Sequence, residues 1–94
     1  MQKCIHILVS GLVQGVYFRA NTRQRALELQ VRGLVRNLRD ARLEIVARGS
    51  EYSLERFVEW CRQGPEHARV DTLEIEDWQG PCDFETFSID YSDR

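Results

Sequence analysis

Residues 11–19 read GLVQGVYFR and separate two stretches with different hydrophobic periods. Before them, residues 4–10 are apolar and rich in β-branched side chains, which predicts a buried strand. After them, apolar side chains recur every three or four residues, which predicts a helix over residues 21–29. The glycines interrupt the strand pattern, so we expect a loop over residues 11–16.

The rest of the chain follows the same two periods. A hairpin is predicted around Asp40-Ala41. A second helix is predicted from an apolar stripe that ends at Cys61, with Ser53 as its cap and Gly64-Pro65 as its end. In chain order, the further predicted strands are residues 33–39, 42–48, 70–78 and 87–91. In residues 70–78, Leu73 and Ile75 are expected to face inward, and in residues 87–91 apolar and aromatic side chains alternate with Ser88 and Asp90.

These elements give the order β-α-β-β-α-β with an extra C-terminal strand. That order is typical of the α+β, ferredoxin-like split βαβ sandwich, in which two helices cover one face of an antiparallel sheet. A chain of 94 residues fits one domain, so we expect residues 1–94 to form it. The fold hosts many unrelated functions and therefore says little about chemistry.

The charge is divided unevenly along the chain. Residues 1–48 hold nine basic and three acidic residues, whereas residues 49–94 hold four basic and twelve acidic residues. The basic half suggests either an anionic ligand or a solvated surface. No apolar run approaches the roughly 18 residues of a membrane span. The first residues lack a signal-peptide cleavage site, so we expect a cytoplasmic protein that binds no membrane.

Cysteine and histidine are few and scattered. Cys4, Cys61 and Cys82 show no CxxC spacing, which argues against a disulfide framework and for buried or half-buried thiols. The two histidines, His6 and His67, lie far apart, so no protein metal site is expected. His6 alternates with isoleucines and is interpreted as a partly exposed residue of a sheet face.

Three acidic residues also call for an interpretation. Asp40, Glu44 and Asp71 could suggest paired carboxylates. We interpret them as hydrated surface charges, since charged side chains are mostly exposed.

The loop of residues 11–19 has the features of an anion-binding site. A strand leads in, a helix leads out, and two glycines permit unusual backbone conformations. Such a loop directs several N–H groups and the positive end of the helix dipole to one point. Arg19 lies where the loop joins the helix and can bind two phosphate oxygens. The loop lacks GK[ST] and GxGxxG, and a tight turn without a ligand remains the alternative at this point.

The same loop resembles the first signature of the acylphosphatase family, G-x-V-Q-G-V-x-F-R. Residues 33–37, GLVRN, resemble the start of the second signature, G-x-V-x-N. The spacing between the two segments also fits, and the resemblance extends over essentially the whole chain. Two positions depart from the family, because Gln30 and Ala41 stand where glycine is usual. Both positions favour a positive φ, where another residue costs about 1 kcal/mol.

The resemblance implies a metal-independent hydrolase that cleaves the carboxyl–phosphate bond of acyl phosphates to carboxylate and inorganic phosphate. It implies that Arg19 and the amides of residues 15–19 hold the phosphoryl group and that Asn37 positions the attacking water. It implies no cofactor. The other residues assigned to the substrate-binding loop are Gln14, Gly15, Val16, Tyr17 and Phe18, of which Phe18 is expected to anchor in the core.

Two other functions are compatible with a chain of this fold. An RNA-binding domain of the same fold would stack bases on aromatic residues of its central strands. Residues 4–10 and 42–48 contain no aromatic residue, so no nucleic-acid partner is expected. The other alternative is a non-catalytic sensor of phosphate or carbamoyl phosphate, or a regulatory fragment, which only turnover distinguishes from an enzyme. A monomer is expected by default.

Overall fold

The computed structural model describes residues 1–92. Its elements along the chain are β1 (Gln2–Leu12), α1 (Phe18–Glu28), β2 (Arg32–Asn37), β3 (Leu43–Ser50), α2 (Glu51–Gln63), β4 (Arg69–Asp77) and β5 (Phe87–Ile89). The strands form one sheet in the order β4-β1-β3-β2-β5. The predicted fold class is therefore confirmed.

The pairing differs from the prediction in one respect. β1 pairs antiparallel with β3 and β4, and β2 pairs antiparallel with β3. β5 pairs parallel with β2, so the five-stranded sheet is mixed. Because β4 lies on one edge and β5 on the other, the connection of residues 78–86 crosses the width of the sheet.

The core lies between the sheet and the two helices. Alternate residues of the central strands β1 and β3 face it, and α1 packs against β2 and β5 while α2 packs against β3 and β4. The largest fully buried side chains are Phe18 of α1, Phe57 of α2 and Phe87 of β5. Phe57 and Phe87 meet edge to face with ring centroids 5.8 Å apart, which joins α2 to the edge strand β5.

Glycine shapes the end of β1. The strand continues to Leu12 instead of ending at residue 10, through a bulge between Ser10 and Gly11. Gly11 has φ 131°, and a Cβ atom there would lie 2.1 Å from the Arg69 carbonyl oxygen. Only glycine allows β4 to approach β1 so closely, and the chain leaves the sheet immediately afterwards.

Helix α1 begins earlier than predicted and ends in a Schellman motif. It starts at Phe18 because Tyr17 takes a left-handed conformation, φ 60°, and turns the chain directly into the helix. At its end, Gln30 N–H donates to the Leu27 carbonyl at 3.3 Å and Val31 N–H donates to the Ala26 carbonyl at 2.8 Å. Gln30 has φ 59°, which confirms the positive φ expected there.

Helix α2 is capped by a different residue from the one predicted. Ser50 accepts a hydrogen bond of 3.1 Å at its Oγ from the Ser53 N–H, so Ser50 is the N-cap and Ser53 lies in the first turn. The predicted end is confirmed, since Gly64 follows the helix with φ 73°.

The expectation that all cysteines are thiols is wrong. Cys4 of β1 and Cys82 of the residue 78–86 connection form a disulfide. Close by, the Trp78 N–H donates to the Cys4 carbonyl at 3.0 Å, and the Arg48 side chain donates to the Cys82 carbonyl at 3.4 Å. Cys61 is a buried thiol as expected, and its burial raises the pKa of the thiol.

The sheet face opposite the helices carries a partly buried charge network. His6 is only 7% exposed, where a partly exposed residue was expected, and its ring stacks on Trp78 at 5.2 Å. His6 Nε2 and Glu44 Oε2 share a hydrogen bond of 2.7 Å, and Arg36 Nε donates to Glu44 Oε1. Burial opposes the charge of Glu44, but these two hydrogen bonds outweigh it and lower the pKa of the carboxyl. Glu44 is therefore a paired group and not the hydrated charge expected.

One side chain expected to face inward is exposed. Ile75 of the edge strand β4 is 42% exposed, although Leu73 is half-buried as the alternation requires. Tyr91 lies beyond β5 and is 75% exposed. Neither α1 nor α2, the helices of the described part of the chain, is long and apolar enough to cross a membrane.

Candidate active site

The loop between β1 and α1 opens toward a cavity of about 360 Å³. Gly15 has φ 75° and Tyr17 has φ 60°, so the chain turns twice through the left-handed region before the helix begins. Within residues 1–92, the N–H groups of residues 15–19 have no hydrogen-bond acceptor, and Tyr17 caps the helix without a side-chain bond. Free N–H groups and the helix dipole make this turn an anion-binding surface.

Arg19 lies in the first turn of α1 and lines the cavity. Its side chain is half-buried, and its Cζ atom lies 5.1 Å from the centre of the Tyr91 ring. No carboxylate among the described residues forms an ion pair with Arg19. The guanidinium is held over an aromatic face while its N–H donors stay available for a ligand.

Asn37 is the last residue of β2 and lines the same cavity as Arg19. Its Oδ1 atom is buried and has no hydrogen-bond partner among residues 1–92. A buried oxygen of this kind is costly unless it accepts a hydrogen bond. Asn37 therefore presents an unused acceptor beside the donors of Arg19 and the loop.

Gln14 connects the loop to the β2–β3 hairpin. Its Nε2 atom donates to the Leu38 carbonyl at 2.8 Å and to the Arg42 carbonyl at 3.0 Å. An amide NH₂ group has two hydrogens, so both are used by the hairpin. The prediction placed Gln14 in a substrate-binding loop. The structure places Gln14 beside the cavity, but its amide nitrogen is bound to the backbone of the hairpin.

The remaining predicted residues divide between the cavity and the core. Gly15, Tyr17 and Phe18 line the cavity, whereas Val16 is half-buried and packs toward the core. Phe18 is 1% exposed and meets Trp60 of α2 edge to face at 5.7 Å, so it anchors the start of α1. Tyr17 is 81% exposed at the rim.

The C-terminal wall of the site was not predicted from the sequence. Ile89 and Tyr91 line the first cavity. Tyr91 also lines an adjoining space of about 370 Å³ that contains Arg19, Asn37 and Arg39. Strand periodicity could not reveal this placement, because it depends on β5 lying beside β2 in the folded sheet.

The electrostatics of the site favour an anion. The two adjoining cavities are lined by Arg19 and Arg39 and, among residues 1–92, by no aspartate or glutamate. Within the same residues, no three His, Cys, Asp or Glu side chains lie close enough together to hold a metal ion. The geometry can bind a phosphate-like group and place a water molecule against it.

Comparison with known proteins is consistent with this geometry. The acylphosphatase family model matches residues 5–89. An acylphosphatase of Syntrophus aciditrophicus is 44% identical over 94 residues, which cover 100% of this chain and 98% of that protein.

Two solved structures share the fold closely. An acylphosphatase from Coxiella burnetii superposes with a TM-score of 0.89 at 39% identity, over 95% of this chain and 93% of that one. The acylphosphatase from Bacillus subtilis gives a TM-score of 0.90 at 34% identity, over 97% of this chain and 100% of that one.

Proposed function

This chain belongs to the acylphosphatase family and is an enzyme of that family, and we propose that Arg19 and Asn37 carry its reaction. One observation carries the proposal: Arg19, which forms no ion pair within residues 1–92, and the buried Oδ1 of Asn37, which has no hydrogen-bond partner there, line one cavity beside the loop amides. The substrate is an acyl phosphate, and the products are a carboxylate and inorganic phosphate.

In this proposal the loop binds the phosphoryl group. The N–H groups of residues 15–19 and the start of α1 surround its oxygens, and Arg19 donates to two of them. Phosphoryl transfer depends mainly on positioning and on stabilisation of negative charge, and preformed donors supply both. Stacking on Tyr91 limits the freedom of the Arg19 side chain, so less conformational entropy is lost when phosphate binds.

Asn37 positions the nucleophile. Its Oδ1 accepts a hydrogen bond from a water molecule, whose oxygen attacks phosphorus while the bond from phosphorus to the acyl oxygen breaks. The electron pair of that bond leaves with the carboxylate, and the proton of the water passes to a phosphate oxygen. Asn37 cannot act as a base because its amide does not titrate. A carboxylate is a good leaving group, so no strong general acid is needed.

Other parts of the proposal extend beyond the site. We propose that residues 1–94 act as one acylphosphatase-like domain, as a monomer, in the cytoplasm, without a nucleic-acid or membrane partner. Disulfides are rare in that compartment, so cellular reductants would act on the Cys4–Cys82 bridge there.

The decisive experiment is hydrolysis of benzoyl phosphate in the presence of EDTA. We expect metal-independent turnover by the wild type and a loss of at least about 10²-fold in Arg19→Ala and Asn37→Ala, because each removes a preorganised group. Arg62→Ala is the matched control, since Arg62 is exposed on α2 and outside the cavity.

The outcomes separate activity from site. A folded wild type that binds inorganic phosphate but shows no turnover would identify a phosphate sensor and refute the proposed chemistry. Turnover that survives both alanine substitutions would keep the enzyme and place its reaction elsewhere on the molecule.

A further inference from the structure

We propose that Gln14 is a positioning residue that holds Asn37 in place against the phosphate-binding loop, and not a ligand of the phosphoryl group. This inference rests on the proposed roles of Arg19 and Asn37. Its first support is geometric. Both hydrogens of the Gln14 side-chain amide are donated to backbone carbonyls of the β2–β3 hairpin, at 2.8 and 3.0 Å.

The two acceptors close the turn of the hairpin. The Leu38 N–H donates to the Arg42 carbonyl at 2.9 Å, and the Ala41 N–H donates to the Leu38 carbonyl at 3.2 Å. Gln14 therefore donates to the same two oxygens that hold the turn together. One side chain of the loop supports both ends of the turn that follows Asn37.

This turn needs outside support because its backbone is unfavourable. Ala41 has φ 76°, a left-handed conformation that residues other than glycine resist. The family usually has glycine at this position. Because alanine stands here instead, the turn depends more on surrounding hydrogen bonds than a turn with glycine would. Gln14 supplies two such bonds from a different element.

Asn37 is coupled directly to the turn. It pairs with Leu43 across the hairpin and immediately precedes Leu38, whose carbonyl Gln14 binds. A shift in the turn moves the Asn37 amide, and a displacement of about 1 Å can cost roughly 10²-fold in rate. Among residues 1–92, neither Arg19 nor the N–H groups of residues 15–19 donate a hydrogen bond to the hairpin. Loss of the Gln14 bonds should thus impair the attack by water more than the binding of phosphate.

Gln14→Met tests this difference, because methionine keeps the length of the side chain and removes both donors. We expect kcat for benzoyl phosphate to fall about 10- to 100-fold, while inhibition by inorganic phosphate changes less than about threefold. Gln24→Met, on the exposed face of α1, is the matched control and should behave as the wild type.

A double variant tests whether Gln14 acts through Asn37. If it does, Gln14→Met should lower kcat less than about threefold when Asn37 is already alanine, because the group it positions is gone. Equal losses in both backgrounds would overturn the inference.

A measurement on the wild type avoids reliance on a folded variant. The NMR signals of the Gln14 side-chain NH₂ group should shift little when inorganic phosphate is added, while the backbone N–H signals of residues 15–19 shift strongly. A strong shift of the Gln14 NH₂ signals would make Gln14 a phosphate ligand and overturn the inference.

Failure of the inference is distinguishable from failure of the proposed function. If Arg19→Ala and Asn37→Ala lose activity but Gln14→Met matches the wild type, only the proposed role of Gln14 is refuted. Gln14→Met that weakens inhibition by phosphate as much as it lowers kcat would also refute positioning. Undiminished turnover in Arg19→Ala and Asn37→Ala would refute the proposed roles of these two residues and this inference together.

Discussion

At the scale of the residue, three side chains stand where the backbone favours glycine. Tyr17, Gln30 and Ala41 all have a positive φ, between 59° and 76°. Each such conformation costs a residue with a Cβ roughly 1–2 kcal/mol. Tyr17 lines the candidate site, and Ala41 lies in the hairpin turn that follows Asn37. Gln30 lies at the end of α1, away from the site, so its positive φ lowers only the free energy of unfolding.

Gln30→Gly should stabilise the protein. Glycine removes the left-handed penalty but adds freedom to the unfolded chain, so we expect the free energy of unfolding to rise by no more than about 1 kcal/mol. The same substitution at Gln24, in the middle of α1, should instead lower it by about 1 kcal/mol. Urea denaturation of both variants measures the contrast, and a loss of stability in Gln30→Gly would contradict the explanation.

The sequence predicted some residues of the site better than others. Arg19 and Asn37 were predicted because they belong to two recognisable signatures, and the structure places both beside one cavity. The contacts of Gln14 were not, since its acceptors lie 24 and 28 residues further along the chain. Glu44 was misjudged because charged residues are usually exposed, and nothing in the local pattern showed that Arg36 and His6 would lie beside it.

At the scale of the element, periodicity predicted each helix and strand but not every boundary. The stripe on α1 was confirmed, with Phe18, Thr22 and Ala26 buried. The predicted start of α1 and the predicted end of β1 were wrong, because both boundaries depend on positive φ values, at Tyr17 and Gly11. The parallel pairing of β5 also lies beyond local patterns, since an edge strand of three residues carries too little periodicity to fix its direction.

The charge network joins three neighbouring strands and makes their stability depend on pH. Glu44 of β3 binds His6 of β1 and Arg36 of β2, and Arg36 also contacts Asp90 at 3.5 Å. The folded pKa of Glu44 lies below its usual value of 4.5. Its contribution to stability is therefore complete above about pH 4.5 and is lost as the pH falls through the lower, folded pKa.

Glu44→Gln should remove that contribution. Near pH 7 we expect the free energy of unfolding to fall by about 1–3 kcal/mol, because a half-buried ionic hydrogen bond is lost. The difference from the wild type should shrink as the pH falls below about 4.5. Urea denaturation at a series of pH values measures it. Glu74→Gln, on the exposed side of β4, should change stability by less than about 0.5 kcal/mol throughout.

At the scale of the whole molecule, the disulfide is the feature that the sequence least suggested. Cys4 and Cys82 are separated by 78 residues, and their meeting requires the connection between β4 and β5 to cross the sheet. An odd number of cysteines without a spacing motif carries no information about that path. Only the strand order, with β1 beside β4, brings the two residues together.

Reduction of this disulfide should destabilise the protein strongly. Closing so long a loop restricts the unfolded chain, which corresponds to about 4.5 kcal/mol in the chain-entropy model. We expect dithiothreitol to lower the free energy of unfolding of the wild type by about 2–4 kcal/mol. The double variant Cys4→Ala, Cys82→Ala should have the same, lowered free energy of unfolding with and without reductant. A wild type unaffected by reduction would contradict this account.

The same bond decides how the protein responds to mechanical force. The disulfide closes residues 4–82 into a covalent ring, which contains both helices and every strand except β5. A force that pulls the two ends of the chain apart is therefore carried by the disulfide bond. The tension can extend only the segments outside this ring, which among residues 1–92 include the first two residues of β1 and all of β5. Under an applied force, the oxidised molecule would therefore extend only a little, because the residues inside the ring would stay folded.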